Sequence, residues 1–252
     1  MIPPVKCQSS KEGNRTVLVT GGAVRIGAAI SEALAQAGWN VVVHAWRSRA
    51  EAKALCERLR AFGVGAWDVG GDLSQLTAGI EVFDAACEAA GDIDAVVNNA
   101  AVFSLRSEAE MTEEEQQALW QVNTVTPIML LSNLHLHLRN RRAHGSVVHI
   151  LDQRIAGELP GKATFYEMSK RALAISMDNA ADMAPFVRVN AVAPGAVLLP
   201  VAPDAREPAG KFPLGFRPTP AQVADAVRWL LEAEAVTGQT LFVDGGQHLL
   251  KK

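Results

Sequence analysis

Tyr166 is the only tyrosine in the chain, and Lys170 follows it four residues later. In a helix that spacing puts both side chains on one face. An ammonium beside a phenol favours the phenolate and draws its pKa below the ordinary value of about 10. The pair could then exchange a proton near neutral pH. Alone, such a pair is an ordinary solvated helix face; it becomes chemistry only beside something to reduce or oxidise.

A second group of residues supplies that context. Gly21-Gly22-Ala23-Val24-Arg25-Ile26-Gly27 lies between a β-branched run, Thr16–Thr20, and a helical stripe of Ile26, Ala29, Ile30, Ala33, Leu34 and Ala37 that Gly38 ends. Glycine lets the backbone approach a pyrophosphate, and a helix start offers free N–H groups and a positive dipole end. A strand–turn–helix at the first strand of an α/β pattern is where a dinucleotide binds. The second strand ends at His44-Ala45-Trp46-Arg47-Ser48. No carboxylate stands there to accept from the 2′-hydroxyl of NAD, whereas Arg47 and Ser48 suit a 2′-phosphate. The expected cofactor is therefore NADP(H).

The elements that must position these groups follow a rhythm. Strands are predicted at 16–20, 41–43, 65–69, 95–97, 147–151, 187–192 and 240–243. Helices are predicted at 26–37, 49–62, 75–90, 112–139 with a bend at Pro127, 163–183, and 220–234. Thr219 and Gln222 form a capping box for the last of these, with Pro220 in its first turn. The strands are apolar without clean alternation, as when both faces of a sheet are covered. The pattern predicts an α/β fold: one Rossmann-type, doubly wound parallel sheet of seven strands with helices on both faces. Residues 1–14 read as a loose lead-in to a single catalytic domain, 15–252. Residues 194–219 hold six of the 12 prolines and little periodicity, and read as a substrate loop or lid.

Composition narrows the function classes. The 252 residues are 49% hydrophobic and carry a formal net charge of -3, without the electrostatic footprint of a nucleic-acid binder. No apolar run reaches the roughly 18 residues that cross a bilayer, and the N-terminus lacks an apolar signal core. Cys7, Cys56 and Cys87 are odd in number and widely spaced, which fits a reducing, cytoplasmic setting rather than a disulfide framework. His135 and His137 do not share a helix face, and no metal site is expected.

Over residues 15–248 the chain resembles the short-chain dehydrogenase/reductase family. The matching pieces are the turn from Thr20 to Gly27, Asp72-Leu73, Asn98-Asn99-Ala100, Asn123, Tyr166-Glu167-Met168-Ser169-Lys170, Arg188-Val189-Asn190, Pro194-Gly195 and Val243-Asp244-Gly245-Gly246. The resemblance implies that Tyr166 is the proton donor. It implies that Lys170 holds the nicotinamide ribose and tunes Tyr166, and that Asn123 anchors a relay water. Asp72 and Leu73 would flank the adenine, Asn99 and Ala100 would line the cofactor cleft, and Pro194-Gly195 would border the nicotinamide. A homotetramer, built through the 112–139 and 163–183 helices, is implied as well.

Two departures are informative. Most family members carry Gly where Arg25 stands, and a catalytic Ser where this chain reads Leu151-Asp152-Gln153. Arg25 and Asp152, with His44-x-x-Arg47-Ser48, Phe103 and the ending Val243–Leu249, are similar to the pteridine reductase branch, including dihydromonapterin reductases. In that branch the aromatic sandwiches the pterin, and Arg25 would face both pterin and cofactor phosphates. Reducing a C=N bond requires a proton on nitrogen, which a carboxyl in a partly desolvated cleft can help deliver. The sequence thus reads as an NADPH-dependent reductase of a pteridine-type small molecule, with Arg25, Phe103, Asp152 and Tyr166 on the substrate. The rivals are a carbonyl reductase of the same family and a non-catalytic NADP-binding regulator.

Overall fold

The computed structural model describes residues 14–104, 106–156, 164–198 and 212–250. The Val-rich runs form β1 (Thr16–Val19), β2 (Asn40–Ala45), β3 (Ala66–Gly70), β4 (Ala95–Asn98), β5 (Gly145–Ile150), β6 (Val187–Pro194) and β7 (Thr240–Val243). They pair in the order β3-β2-β1-β4-β5-β6-β7, and each neighbouring pair is parallel. The chain runs outward from β1 to β3, then crosses back to β4. That reversal opens a crevice above the carboxyl ends of β1 and β4, where open α/β sheets bind ligands.

Helices cover both faces. The α1 (Arg25–Gln36), α2 (Arg49–Arg60) and α7 (Pro220–Glu232) helices pack Ile30, Leu34, Leu55, Leu59, Val223, Val227 and Leu230 against one face. On the other lie α3 (Ala78–Ala90), α5 (Thr126–Arg141) and α6 (Phe165–Ile175), with Val82, Phe83, Leu130, Leu134, Leu138 and Leu173 in a second core. Successive residues of β1 divide between the two, Val17 and Val19 into the first and Leu18 into the second. All three are fully buried, so the strand has no polar face to show.

Two helical expectations change. The 112–139 pattern is two α-helices, α4 (Glu113–Trp120) and α5, joined by a π-helical turn at Gln121–Val125. The bend therefore precedes Pro127, which sits in the first turn of α5, where its missing N–H costs nothing. The wide turn closes with the Thr126 N–H donating to the Gln121 carbonyl. The 163–183 pattern is α helix only through Ile175 and tightens into a 3-10 helix over Ser176–Met183. The capping box at Thr219 and Gln222 forms as read. Of the loop expected at 194–219, residues 199–211 lie outside the described residues, as does most of the 1–14 lead-in.

Arg188 ties α7 to β6. Its guanidinium donates to the carbonyls of Leu230 (2.9 Å), Leu231 (2.7 Å) and Val236 (3.1 Å), placing a cation where α7 ends and its carbonyls lack helical partners. Asn190 completes the clasp, donating to Val236 O and accepting from the Gln239 N–H. Arg188→Met would strand these carbonyls beside an apolar stem. Chemical denaturation should then show a loss of about 2–4 kcal/mol, while dinucleotide affinity stays within about twofold because the clasp lies far from the phosphate turn.

Candidate active site

The glycine turn leaves β1 and is bound to its neighbours by main-chain contacts. Gly21 has φ +59°, and its N–H donates to His44 Nδ1 at 3.2 Å. Because Nδ1 accepts, Nε2 carries the imidazole proton and donates to Gly71 O at 3.1 Å. A Cβ on Gly27 would lie 2.0 Å from Gly21 O, so the turn is closed against α1 in a way only glycine permits. Asn99 locks the turn from β4: its side-chain amide donates to Thr20 O and Gly21 O. The Thr20 hydroxyl in turn accepts from the Asn99 and Ala100 N–H groups. The first turn of α1 has no side-chain cap and no acidic residue, so its N–H groups face the crevice. Ile26 is half-buried at that edge.

Arg25 is exposed and has φ +56°, in the region glycine favours. An arginine there costs about 1–2 kcal/mol. This accounts for the family's usual glycine and makes the arginine a departure held against strain. Across the crevice, exposed Arg47 stacks on Trp46, 4.0 Å from the ring centroid. Ser48 is the N-cap of α2, yet its hydroxyl caps no amide and remains available to a ligand. Asp72 accepts from the Ser74 amide and hydroxyl and from Gln75. Burial works against its charge, but these hydrogen bonds and the nearby Arg47 outweigh it and lower its pKa. Leu73 is different: its side chain is buried in the second core, and its carbonyl accepts from the Thr126 hydroxyl at 2.9 Å.

The candidate reacting groups meet where the end of β5 faces the start of α6. Tyr166 OH donates to Asp152 Oδ2 at 3.1 Å, and the Phe103 ring meets the Tyr166 ring edge-on at 4.8 Å. Thr164 and Glu167 form a capping box that starts α6, fixing Tyr166 in its first turn. One expectation is overturned. Lys170 does not draw the phenol down; the pKa of Tyr166 is raised well above its ordinary value, first by burial and then by Asp152. The reason is geometric: the buried ammonium of Lys170 donates to Ile150 O at 2.7 Å. Burial lowers the Lys170 pKa to about 8, with Asp152 opposing.

Asn123 lies in the π-helical turn, fully buried. Its side chain accepts from Val102 N and donates to Val102 O and to Ser169 Oγ. The side-chain amide thus clamps the Phe103 loop to α6. Pro194-Gly195 ends β6, and a Cβ on Gly195 would lie 2.3 Å from Gln247 Oε1. Gln247 is held there by the turn in which Asp244 accepts from the Gly246 and His248 amides. Sequence reading missed Arg154, Glu167 and Ser169 as parts of the site. The capping-box spacing from Thr164 to Glu167 was a usable signal; nothing in the sequence marked Arg154.

Comparison with known proteins fits this arrangement. Residues 22–248 match a family model described as enoyl-(acyl carrier protein) reductase. The chain belongs to the short-chain dehydrogenase/reductase family and is an oxidoreductase of this nicotinamide-dependent class. Among solved structures it is similar to FolM alternative dihydrofolate reductase 1 from Brucella canis, complexed with NADP. That match has 35% identity and a TM-score of 0.86, covering 95% of this chain and 96% of that one. It is also similar to the acetoin dehydrogenase YohF of Salmonella typhimurium, at 27% identity and a TM-score of 0.85, covering 94% and 97%. An oxidoreductase of Methylorubrum extorquens is 32% identical over 94% of this chain and 99% of its own.

His44 makes the phosphate turn sensitive to acid. Burial, aided by Arg49 and opposed by the Gly71 bond, lowers its pKa from 6.5 to about 4. Between those values the unfolded chain binds more protons than the folded one. The contribution to stability is complete above about 6.5 and declines as the pH falls towards about 4. Buried His149, at about 3, acts in the same sense. In melting curves measured against pH, His44→Gln, whose amide oxygen can still accept from Gly21, should be less acid-sensitive across that window than the wild type. Equal slopes would exclude His44 as a source.

Proposed function

We propose that the protein is an NADPH-dependent reductase of a pteridine-type substrate, converting a dihydropterin or dihydrofolate-like ring to its tetrahydro form. The observation that carries this reading is the carboxylate of Asp152, 3.1 Å from the hydroxyl of Tyr166, where most of the family places a serine hydroxyl. The similarity to an alternative dihydrofolate reductase crystallised with NADP supports it.

The residues fit the dinucleotide. The uncapped start of α1 suits a pyrophosphate, and Arg47 with the free Ser48 hydroxyl suits a 2′-phosphate. Asn99 and Ala100 would line the cleft, Asp72 the adenine, and Pro194-Gly195 the nicotinamide side. Lys170 would hold the ribose. When bound, the cofactor supplies the hydride that a ring carbon receives. The chain supplies orientation and the proton. Phe103 is 56% exposed and so has a ring face free to stack on a flat substrate. Arg25, held in its strained conformation, would meet the ring's polar edge and the cofactor phosphates. Tyr166 keeps its proton, directed at Asp152, and this couple delivers it to the ring nitrogen beside the reduced carbon. The Asn123 side chain is fully engaged, so a relay water would be held by the main chain of the π-helical turn. Exposed Trp120, Leu136 and Ile175, on α4, α5 and α6, support a homotetramer assembled through those helices. Among the described residues no helix is long and apolar enough to cross a membrane, in keeping with a cytoplasmic enzyme.

Steady-state NADPH oxidation tests the reading. Dihydrobiopterin or dihydromonapterin should be reduced with higher kcat/KM than a 3-oxoacyl thioester; the reverse order would make this a carbonyl reductase. Tyr166→Phe should lower kcat by about 10² or more, the worth of a general acid. An unchanged physiological role in that variant would favour a non-catalytic regulator. Arg47→Ala should erase the preference for NADPH over NADH, a change on the order of 10- to 100-fold for a lost charge-assisted contact.

A further inference from the structure

We infer that Arg154 is a positioning residue that holds the Asp152 carboxylate under the Tyr166 hydroxyl, by bridging Asp152 to Glu167 on the helix that carries the tyrosine. The inference rests on the reading of Asp152 and Tyr166 as the proton couple. Five contacts converge on Arg154. Its Nη1 lies 3.5 Å from Asp152 Oδ2, the same oxygen that accepts from Tyr166. Its Nε lies 3.6 Å from Glu167 Oε1. Its backbone N–H donates to Asp152 Oδ1 at 2.9 Å, and its carbonyl accepts from Arg171 of α6 at 3.0 Å. The guanidinium also lies over the Phe103 ring, 5.5 Å from the centroid.

The arrangement matters because Asp152 lies just past the end of β5, where strand pairing no longer holds its side chain. One of its oxygens is occupied by the Arg154 amide, and the direction of the other is set by the guanidinium. Glu167 is itself fixed, since its Oε2 accepts from the Thr164 N–H in the capping box. The bridge therefore runs from a fixed point on α6 to the carboxylate, across the space where the proton is passed. An ordinary surface ion pair would do little. Here the side chains of Arg154, Asp152 and Glu167 are only 28%, 18% and 14% exposed, and both carboxylates belong to the site. A planar fork can reach two carboxylates at once, which a lysine ammonium does less well.

Among the described residues, the charged groups acting on the phenol are Asp152, Arg154 and Glu167, with Lys170 one turn along the helix. Asp152 and Glu167 raise the Tyr166 pKa, whereas Arg154 lowers it. Removing the Arg154 guanidinium and removing the Glu167 carboxylate should therefore have opposite effects on the phenol but the same effect on turnover. As the only tyrosine, Tyr166 alone contributes phenolate absorbance in the native protein. The experiment compares wild type, Arg154→Gln, Arg154→Lys and Glu167→Gln, with circular dichroism at each pH to mark unfolding.

Glu167→Gln retains the capping box, because glutamine also fills that position. Its phenol should ionise at lower pH than in the wild type, and that of Arg154→Gln at higher pH. With a dihydropterin, kcat should fall about tenfold in both, KM for NADPH should hold, and Arg154→Lys should recover part of the loss. If both variants shift the phenol in the same direction, or neither changes kcat, the bridge does not position the couple. If the wild type reduces no pterin, the substrate reading fails, and Arg154 is then judged on the phenol titration alone, where opposite shifts support it and like shifts overturn it.

Discussion

A phenol donates a hydrogen bond to a carboxylate across 3.1 Å, both groups largely withdrawn from water. Burial makes the phenolate charge expensive, and the neighbouring carboxylate makes it more so. The arrangement that satisfies both groups is a neutral phenol donating to an ionised carboxylate. Much of the neighbouring structure serves to hold them at that separation. The end of β5 delivers Asp152, and the capping box of α6 delivers Tyr166 one residue into its first turn. The Lys170 ammonium spans from α6 to the Ile150 carbonyl, joining the same two elements from below.

The cofactor side is built on a different economy. Here the chain presents backbone rather than side chains, and close approach is what matters. Gly27 sits where a methyl group would collide with Gly21, and Asn99 crosses from β4 to fasten the turn. The strand order places this turn, the Asn99 loop, the Asp152 turn and the Pro194-Gly195 loop along one edge of the sheet. A crevice along the carboxyl ends of β1, β4, β5 and β6 follows from that edge. The π-helical turn links the two halves. It widens the helix by one residue at Asn123, and the buried amide there grips the loop that carries Phe103 as well as α6.

Arg25 and Asp152 depart from the family's habit for physical reasons that differ. Arg25 occupies backbone space that suits glycine, so its presence costs stability. Asp152 replaces a small hydroxyl by a charge that needs partners, and it finds them in Tyr166 and Arg154. Phe103 lies against both partners of that carboxylate, edge-on to Tyr166 and beneath the Arg154 guanidinium. Solved structures with the same fold include an acetoin dehydrogenase, so the sheet by itself does not define a substrate.

Strand positions, helix faces and the glycine turn were legible because they depend on local periodicity and on backbone freedom, which neighbouring residues encode. Seven strands were placed within two residues at most of their ends, and Tyr166 and Lys170 were correctly put on one helix. The direction of the Tyr166 pKa was not legible. It depends on burial and on a carboxylate 14 residues away, while the lysine four residues away turns to a backbone carbonyl. The π-helical turn was hidden for a related reason, since a single widened turn leaves the apolar period nearly unchanged and Pro127 drew the bend to itself. Arg154 carried no signal at all, because its meaning lies in two carboxylates that only folding brings to either side of it. Spacing along the chain determined which groups could share an element; the packing of β5 against α6 decided which of them touch, and so which one holds the proton.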